Sequence, residues 1–325
     1  MAKVVRFYEA GGPDVLRVEE QPVGNPKDGE VRIRHLAVGM NFADTYFRQG
    51  YYPVPLPNGM GVEASGVIEA VGSNVNGFKV GDRVTYTGSP LGAYSTERVM
   101  PIQSLIKLPV DIDHQTAAAM TMRGLSAAYW LLKTNPWMKS GDTILIHAAA
   151  GGVGLIACQW ANYLGATVIG TVGSKEKAEI AKKNGCHHTI LYRDEDFVAR
   201  VKDITSGKLC DVVYDGIGKS TFPASLDCLR PLGYFVSFGS ASGQIDAFNI
   251  NILQTKGSLF ATRPTLNNYV AKRDDLIATA TDLFKVVGSG AVKIPINQKY
   301  PLKDAAKAHK EMEGRDTTGS SILVP

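Results

Sequence analysis

The sequence predicts an α/β protein with two domains, one rich in antiparallel strands and one built on a doubly wound parallel sheet. Residues 1–122 contain short strands separated by Gly-, Pro- and Asn-rich clusters, which is typical of an antiparallel, partly barrel-like domain. Between residues 117 and 238 helices and strands alternate, which indicates βαβ units and a parallel sheet covered on both faces. The tail returns to the first pattern, so the parallel-sheet domain is expected to be an insertion. The expected boundaries are 1–122 plus 265–325 for the first domain and 123–264 for the second.

The individual elements follow from apolar periodicity, which is two in strands and close to 3.6 in helices. The predicted strands of the first domain are residues 4–8, 16–20, 30–38, 63–71 and 82–86. The parallel-sheet region is predicted to have strands at 143–147, 167–172, 189–192, 212–214 and 234–238, and helices at 117–134, 155–164, 178–183, 196–204 and 222–228. The tail is predicted to contain a helix at 275–287 and a closing strand at 321–324.

A glycine-rich turn between a strand and a helix is the most informative motif. Ala149, Gly151 and Gly154 occupy the three spaced positions of a G-x-G-x-x-G turn, with Ala in the first place. The helix is expected to open beside Gly152 and to direct its free N–H groups and positive dipole end at the turn. A dinucleotide pyrophosphate is therefore predicted to bind at Gly151, Gly152, Val153 and Gly154.

The second strand of this region predicts which dinucleotide binds. NAD-specific sites place an acidic residue about twenty residues beyond the last glycine, and here that position, 174 − 154 = 20, is Ser174. Ammonium and hydroxyl groups suit a 2′-phosphate, so we expect NADPH over NADH. The alternative is that the lysines only form the solvated first turn of a helix over 174–184, which Ser174 would cap in either case. The residues concerned are Gly173, Ser174, Lys175 and Lys177, with Tyr192 and Arg193 closing the following strand.

Composition excludes several classes of protein. The chain has 325 residues, 44% hydrophobic and 20% charged, with a net charge of +4 from scattered basic residues, which favours small anionic ligands over nucleic acid. Its four cysteines, Cys158, Cys186, Cys210 and Cys228, are far apart, which predicts neither a disulfide framework nor a zinc knuckle and fits a reducing compartment. No signal peptide or long apolar run is visible, so we expect a cytoplasmic protein without a membrane span.

Six motifs in order along the chain resemble the medium-chain dehydrogenase/reductase superfamily, and within it the zinc-free NADPH:quinone oxidoreductases, the group that includes ζ-crystallin. This resemblance implies a GroES-like catalytic domain with an inserted Rossmann domain. It also implies a homodimer formed through edge strands of the two nucleotide domains, for which residues 248–260 are the candidate region. The motifs are Gly11-Gly-Pro-Asp-Val-Leu16, Val38-Gly-Met-Asn-Phe-Ala-Asp-Thr-Tyr46, Gly61-Val-Glu-Ala-Ser-Gly-Val67, Val80-Gly-Asp-Arg-Val84, His147-Ala-Ala-Ala-Gly-Gly-Val-Gly154 and Gly314-Arg-Asp-Thr-Thr-Gly-Ser320.

The residues argue against a catalytic metal. Zinc alcohol dehydrogenases of this superfamily carry Gly-His-Glu where this chain has Gly61-Val-Glu63, and an early Cys where it has residues 38–41. Val cannot ligate a metal, and no Cys precedes position 158 to form a four-cysteine lobe. Glu63 is then expected to be a buried ion-pair partner. The histidines without ligand spacing, expected in strands or at the surface, are His35, His114, His187 and His188.

Without a metal, the nicotinamide would supply the reducing chemistry, and the protein would orient the acceptor and stabilise the developing oxyanion. Polar residues cluster after the strand that ends near Gly39, where the resembling enzymes form the substrate and nicotinamide cleft. Tyr46 and Tyr52 are the expected hydrogen-bond donors to a quinone carbonyl, with Asn41 holding that carbonyl or the carboxamide. Asp44 and Tyr51 belong to the same cluster. The alternative is that residues 51–55 form an aromatic loop packed for stability.

The resemblance implies further cofactor contacts. Gly239 and Ser240 end a strand on the nicotinamide side, and Arg263 begins the return to the catalytic domain. Arg315 stands where the resembling enzymes place a basic residue near the cofactor, although a solvated loop arginine would also fit. Tyr129, with Arg123, is expected to open the helix at the domain boundary and to flank the cofactor, or else to serve packing.

Three functions remain open at this stage. The leading one is metal-free, NADPH-dependent reduction of small quinones. The closest rival is NADPH-dependent reduction of α,β-unsaturated ketones and aldehydes, which needs the same oxyanion donor. The third, from a different class, is single-stranded RNA binding or a structural role of the ζ-crystallin type. No RNP-like or KH-like motif is visible, so a nucleic-acid partner is not expected.

Overall fold

The computed structural model describes residues 1–134, 139–314 and 316–325. The chain divides into two compact units. The first contains residues 1–125, 272–288 and 294–325, and the second contains residues 126–271 and 289–293. Within the described ranges, no helix is both long and apolar enough to cross a membrane.

Residues 1–132 form β1 (Ala2–Phe7), β2 (Arg17–Gln21), β3 (Glu30–Met40), α1 (Phe42–Arg48), β4 (Asn58–Gly59), β5 (Glu63–Val71), β6 (Arg83–Thr87), β7 (Glu97–Pro101), β8 (Leu105–Lys107) and α2 (His114–Leu132). Residues 143–269 form β9 (Thr143–Ile146), α3 (Gly152–Tyr163), β10 (Thr167–Val172), α4 (Lys175–Lys183), β11 (His188–Leu191), α5 (Phe197–Ile204), β12 (Cys210–Asp215), β13 (Leu229–Ser237), α6 (Asn251–Thr255), β14 (Phe260–Thr262) and α7 (Leu266–Tyr269). The tail forms α8 (Arg273–Gly288), β15 (Ile296–Pro301), α9 (Ala305–Glu313) and β16 (Ser320–Val324).

The first unit is built around strand β3. A seven-stranded sheet has the order β15-β16-β3-β5-β6-β8, with β7 also paired to β3, and a three-stranded sheet has the order β2-β1-β4. Strand β3 pairs antiparallel with β16, β5 and β7, so the C-terminal strand lies beside an N-terminal one. Alternate residues of β3 such as Val31 and Ile33 are buried in the core of this unit. That core includes Phe7, Met40, Met60, Ile68, Tyr86, Leu105 and Leu323.

The second unit contains a six-stranded sheet of order β11-β10-β9-β12-β13-β14, in which every pair is parallel. Its central strands are almost continuous apolar runs, as expected for strands buried on both faces. The strand order reverses between β10 and β12, on either side of β9, and ligands bind at such a switch point in open α/β sheets.

Three predicted segments differ from the structure. The helix predicted at 222–228 is a short 3-10 turn over Ala224–Cys228, in which the Leu226 N–H bonds the Pro223 carbonyl three residues back. The candidate dimer region 248–260 contains the short helix α6, and the edge strand β14 begins only at Phe260. The predicted strand at 189–192 ends at Leu191, just before Tyr192.

Candidate functional site

The glycine-rich turn of the second unit has the predicted geometry. Strand β9 ends at Ile146, Ala148 has a left-handed φ of 55°, and Gly151 is the N-cap of α3, which begins at Gly152. A Cβ on Gly154 would lie 2.4 Å from the Ala148 carbonyl oxygen and 2.8 Å from that of Ala149, so only glycine lets the helix approach the strand this closely. Gly151, Gly152, Val153 and Gly154 thus form a helix N-terminus that can receive a phosphate.

The structure brings the second group of predicted cofactor residues together at the end of β10. Ser174 is the N-cap of α4, and its Oγ accepts a hydrogen bond from the Lys177 N–H at 3.3 Å, as predicted. A Cβ built on Gly173 would lie 3.1 Å from the Tyr192 hydroxyl, so these two residues are neighbours. Lys175 is exposed, Lys177 is half-buried, and the exposed Glu176 between them adds a negative charge that the sequence argument did not weigh.

A buried hydrogen-bond chain that the sequence argument missed ties together three strand ends beside the glycine-rich turn. His147 Nδ1 lies 2.9 Å from Thr171 Oγ1, and its Nε2 lies 3.0 Å from Ser225 Oγ. Ser225 Oγ in turn donates to Asp215 Oδ2 at 3.0 Å, and Asp215 Oδ1 accepts two backbone N–H groups of the following turn. Burial lowers the pKa of His147, so the imidazole is neutral and fixes this edge of the sheet. The sequence feature that could have indicated this chain is the Asp-Gly-Ile-Gly turn, residues 215–218, at the end of a predicted strand.

Arg263 holds the loop that follows β13. Its guanidinium donates to the Gly239 carbonyl at 2.7 Å, to Ser240 Oγ at 3.1 Å and to the Ser237 carbonyl at 3.3 Å. The predicted residues Gly239, Ser240 and Arg263 are therefore in direct contact. Because these hydrogen bonds hold the guanidinium, Arg263 fixes the backbone of the loop.

The expected positions of Tyr129 and Arg123 need correction. Neither residue opens a helix, since α2 begins at His114 and continues to Leu132. Tyr129 is buried and stacks on Tyr269 with ring centroids 4.5 Å apart, and burial raises its pKa to about 12. Packing is thus the role visible for Tyr129. Arg315 lies outside the described residues.

In the first unit, Asn41 directly follows β3 and is the N-cap of α1. Its backbone N–H donates to Asp44 Oδ2 at 2.8 Å, which also accepts from the Tyr94 hydroxyl at 2.9 Å. Asp44 was expected among the polar residues of the cleft, but its side chain is completely buried and caps α1 from inside the fold. Burial raises the pKa of Asp44 to about 6, against the hydrogen bonds from Asn41 and Tyr94.

The side chain of Asn41 is bound to Glu63, which lies on the neighbouring strand β5. Asn41 Nδ2 donates to Glu63 Oε2 at 2.6 Å, and the Met122 N–H donates to Glu63 Oε1 at 2.7 Å. Burial raises the pKa of Glu63 to about 7, and the charge of Arg123 acts most strongly against that shift. The expected role of Glu63 was that of a buried ion-pair partner, but its two oxygens accept from Asn41 and the Met122 N–H instead, and Arg123 acts on it only through its charge. Arg123 itself donates to the carbonyls of Met40 and Ala119.

Tyr46 and Tyr52 lie together in an aromatic cluster around α1. Their ring centroids are 5.3 Å apart in an edge-on arrangement, and the Tyr52 N–H donates to the Tyr46 carbonyl at 3.1 Å. Tyr51 packs edge-on against Tyr46 at 6.1 Å, and Phe47 packs against Tyr52 at 5.3 Å. Tyr52 nevertheless stays 42% exposed and Tyr51 58% exposed, so the cluster is packed on one side and open on the other. Both the packing role and the acceptor-binding role that the sequence left open fit this arrangement.

A second buried chain, also missed from the sequence, supports α1 from the C-terminal helix α9. Arg48 has no exposed side-chain surface and binds Glu313 through two N–H groups at 2.9 and 2.7 Å. It also donates to His309 Nδ1 at 2.9 Å, and His309 Nε2 lies 3.1 Å from the Tyr94 hydroxyl. A guanidinium can only donate, so His309 must be neutral with its proton on Nε2, and the chain continues through Tyr94 to Asp44. Arg48 is the last residue of α1, where a basic side chain is common, so its position in the sequence did not point to this chain.

Among the described residues, no group of three or more His, Cys, Asp or Glu side chains is placed to hold a metal ion. His35, in β3, donates from Nδ1 to the Ser95 carbonyl at 2.8 Å and accepts from the Tyr86 hydroxyl at 3.0 Å. His114 begins α2 and lies 2.8 Å from Ser65 Oγ, while His187 and His188 are exposed at the start of β11.

Comparison with known proteins extends these observations to the whole chain. Residues 27–110 match the family described as alcohol dehydrogenase GroES-like domain, and residues 152–278 match the family described as zinc-binding dehydrogenase. The quinone oxidoreductase of Pseudomonas aeruginosa is 50% identical over all of this chain and all of its own length. The chain belongs to the quinone oxidoreductase family of medium-chain dehydrogenases/reductases. The resemblance and the α/β fold class predicted from the sequence are thereby confirmed.

Two further relatives bear on what this family member does. The crystal structure of Escherichia coli quinone oxidoreductase complexed with NADPH has a TM-score of 0.97 and 47% identity, with 99% of this chain and all of that chain covered. The 2-haloacrylate reductase of a Burkholderia species is 48% identical, with 100% of this chain and 99% of that protein covered.

Proposed function

We propose that this chain is an NADPH-dependent enzyme that reduces small quinones by hydride or electron transfer without a metal. The observation that carries the proposal is the full-length similarity to quinone oxidoreductases, one of them crystallised with NADPH. The first unit is the catalytic domain and the second is the NADPH domain. The boundaries given above, 1–122 plus 265–325 and 123–264, stay a prediction.

The residues of the second unit fit the cofactor. The absence of a side chain at Gly154 lets the N-terminus of α3 lie close to the end of β9, and the pyrophosphate would bind at the N–H groups of that helix end. Ser174 and Lys177 would hold the 2′-phosphate next to Gly173 and Tyr192. We place the nicotinamide side at Gly239 and Ser240, with Arg263 supporting the loop, and propose Tyr129 and Arg315 as further contacts. When bound, NADPH supplies the hydride.

The residues of the first unit suit stabilisation of the acceptor. Tyr46 and Tyr52 donate hydrogen bonds to the carbonyl oxygen that becomes an oxyanion, and the exposed face of Tyr52 offers a surface on which a flat acceptor stacks. Asn41 orients the ligand from the end of β3. The packed side of the aromatic cluster fixes the hydroxyl groups before the acceptor arrives, which is the condition for electrostatic stabilisation to be effective.

The proposed homodimer forms through strand β14, the edge strand of the parallel sheet. Phe260 on this strand is 45% exposed and stacks on Tyr234 with ring centroids 4.7 Å apart. An edge strand exposes backbone groups that pair with a second copy. A charge introduced by Phe260→Lys should lower the sedimentation coefficient to that of a monomer, and an unchanged coefficient would reject this interface. We place the enzyme in the cytoplasm, since its four cysteines are free and buried.

Alkene reduction is the second candidate, and the similarity to a 2-haloacrylate reductase favours it specifically. The decisive test measures kcat/KM of the chelator-treated protein with NADPH for 1,4-naphthoquinone, a simple enone and 2-chloroacrylate in one assay. A higher value for the quinone supports the proposal, and a higher value for either alkene makes this an alkene reductase on the same scaffold.

The cofactor assignment has its own test at Lys177. Replacing Lys177 with Glu should weaken NADPH binding about 10-fold, or roughly 1.4 kcal/mol, through loss of a charge-assisted contact to the 2′-phosphate, and should leave NADH binding within about 2-fold. Lys182→Glu, near the other end of α4, is the matched control and should change neither. Equal losses for NADPH and NADH in Lys177→Glu would remove the 2′-phosphate assignment.

A further inference from the structure

A groove of about 620 Å³ on the first unit is lined by residues 76–78, by the 3-10 turn Ile102–Ser104 with the following strand β8, and by the helix α8. It contains none of the residues proposed to hold the cofactor or the acceptor. Its charged lining residues are Lys107 and Arg273, and no acidic side chain of the described part of the chain lines it. The apolar lining consists of Phe78, Ile102, Ile106, Ile277, Ala280 and Phe284. The groove thus combines apolar surface with positive charge.

The apolar part of the groove offers surface that a ligand can cover. Ile277 of α8 is 37% exposed, and Phe78, Ile102 and Phe284 are half-buried. Phe78 and Ile102 pack against the core of the first unit, which fixes their positions before a ligand arrives. Apolar surface gathered in a concave place and accompanied by a few polar groups is typical of a site for a small molecule.

The positive charge of the groove is concentrated around the ring of Phe78. Lys107 Nζ lies 5.7 Å and Arg273 Cζ lies 5.6 Å from the centroid of this ring. Two like charges on one ring repel each other, so each of them is stabilised by an anion nearby. Lys107 has such an anion, because its Nζ lies 3.0 Å from Asp82 Oδ2.

The guanidinium of Arg273 is partly buried without a carboxylate partner. Its Nη1 donates to the Gln103 carbonyl at 3.1 Å and to the Leu105 carbonyl. Asp274 and Asp275 follow it in α8, but neither of them lines the groove or forms an ion pair with Arg273. Loss of surrounding water lowers the pKa of Arg273 from its usual value. Within the described ranges, the N–H groups of Nε and Nη2 have no protein acceptor, which leaves them for a ligand.

We propose that this groove is a second binding site, which takes a small amphipathic carboxylate with an alkyl chain. Nε and Nη2 form one side of the planar guanidinium, and two parallel N–H groups of this kind fit the two oxygens of a carboxylate. The carboxylate therefore binds Arg273, Lys107 adds attraction, and the alkyl chain covers Ile277 and Phe284. The site lies within one unit and does not rest on the proposed reduction of quinones.

Calorimetric titration of the full chain with three probes tests the two parts of the site. Decanoate has both the charge and the chain, decan-1-ol has the chain alone, and acetate has the charge alone. We expect decanoate to bind about 10-fold more tightly than decan-1-ol, the effect of charge-assisted hydrogen bonds to the guanidinium, and acetate to show no measurable binding. Equal affinities for decanoate and decan-1-ol, or no binding of decanoate, would overturn the proposal.

The variant Arg273→Gln places the charged part of the site. Gln keeps a donor for a backbone carbonyl but loses the positive charge and the planar fork, so the preference for decanoate over decan-1-ol should fall to about 1-fold. The affinity for decan-1-ol itself should not change. Arg17→Gln is the matched control, because Arg17 is an exposed arginine of the same unit whose Cζ lies 5.3 Å from the ring centroid of Tyr8. It should keep the wild-type ratio.

A second variant, Ile277→Asp, covers the case in which Arg273→Gln does not fold. It leaves the hydrogen bonds of Arg273 in place, removes part of the apolar lining and adds a carboxylate that repels the ligand. We expect the affinity for decanoate to fall at least about 10-fold. Ala278→Asp adds the same charge at the next, exposed position of α8, which does not line the groove, and should keep the wild-type affinity.

The two variants distinguish this groove from any other place on the protein where decanoate could bind. Loss of affinity in Arg273→Gln and Ile277→Asp, with wild-type behaviour in Arg17→Gln and Ala278→Asp, supports the site. Wild-type affinity for decanoate in either Arg273→Gln or Ile277→Asp would overturn it, because the carboxylate would then bind elsewhere. Equal losses in a variant and its control would overturn it as well, since the effect would then come from net charge alone.

Discussion

The glycine-rich turn and the surroundings of Asn41 differ in how far apart along the chain their parts lie. The turn lies within residues 148–154, and its geometry depends on contacts between near neighbours such as Gly154 and Ala148. Asn41 is held by Asp44 in its own helix, but also by Glu63, and through Asp44 by Tyr94 and His309. A site made by one local segment can be identified from its motif, whereas a site assembled from distant residues becomes visible only when the fold brings them together.

The largest effect is expected at Arg48, the buried charge that binds both Glu313 and His309. Arg48→Met should lower the free energy of unfolding by roughly 4 kcal/mol, because Glu313 and the Nδ1 of His309 lose their donor inside the fold. Urea denaturation measures this change. Arg34→Met, which removes a surface partner of Glu69, is the control and should cost no more than about 1 kcal/mol. Equal losses in the two variants would show that the buried chain contributes no more than a surface pair.

A substitution in the glycine-rich turn should affect mainly the binding of NADPH. Gly154→Ala places a Cβ 2.4 Å from the Ala148 carbonyl oxygen, so the turn must open and the N–H groups of α3 lose their alignment. We expect NADPH to bind about 100-fold more weakly, which corresponds to roughly 3 kcal/mol. Calorimetric titration checks this. Gly12→Ala is the matched control, since a Cβ at Gly12 meets nothing within 4 Å. Comparable losses in both variants would contradict the dependence of NADPH binding on the close contact at Gly154.

The same contrast explains what the sequence could and could not reveal. The strand 167–172, the N-cap Ser174 and the start of α3 were predicted correctly because periodicity and capping are local properties. The helix predicted at 222–228 was wrong, because apolar periodicity does not separate an α-helix from the short 3-10 turn that the structure has there, with its Leu226 N–H bonded three residues back. The chain from Arg48 to Asp44 could not be predicted, because nothing in the sequence shows that α9 lies beside α1.

The stability contributed by the buried groups around Asn41 and Arg48 should also depend on pH. Burial and the charge of Arg48 lower the pKa of His309 to about 3, so its neutral form stabilises the fold above the unfolded pKa of about 6.5, and that contribution is lost as the pH falls below it. At pH 5 the loss is about 2 kcal/mol for this histidine. Buried His35, with a pKa of about 3, acts in the same direction. Glu63 and Asp44 act oppositely, because their raised pKa values let the folded protein hold protons that the unfolded chain releases.

His309→Gln isolates one of these contributions. The amide oxygen of Gln can accept from Arg48 and its nitrogen can donate to Tyr94, but the side chain does not titrate. The difference in free energy of unfolding, variant minus wild type, should therefore be about 2 kcal/mol higher at pH 5 than at pH 8, because only the wild type loses stability in acid. Urea denaturation at the two pH values gives this difference. His188→Gln, at an exposed position, should respond to pH as the wild type does, and the same response from His309→Gln would contradict a histidine held neutral by Arg48.

The smallest effect is expected at the aromatic cluster, where local packing and acceptor binding coincide. Tyr52→Phe keeps the ring contacts with Tyr46 and Phe47 and removes only the hydroxyl. If that hydroxyl donates to the developing oxyanion, kcat for 1,4-naphthoquinone should fall about 5-fold, the effect of roughly one hydrogen bond at a partly exposed site, while the Kd for NADPH and the free energy of unfolding stay unchanged. Tyr51→Phe, at the more exposed neighbour, is the control and should leave kcat unchanged. If kcat is unchanged in Tyr52→Phe, the ring is there for packing, and the donor must be sought at Tyr46.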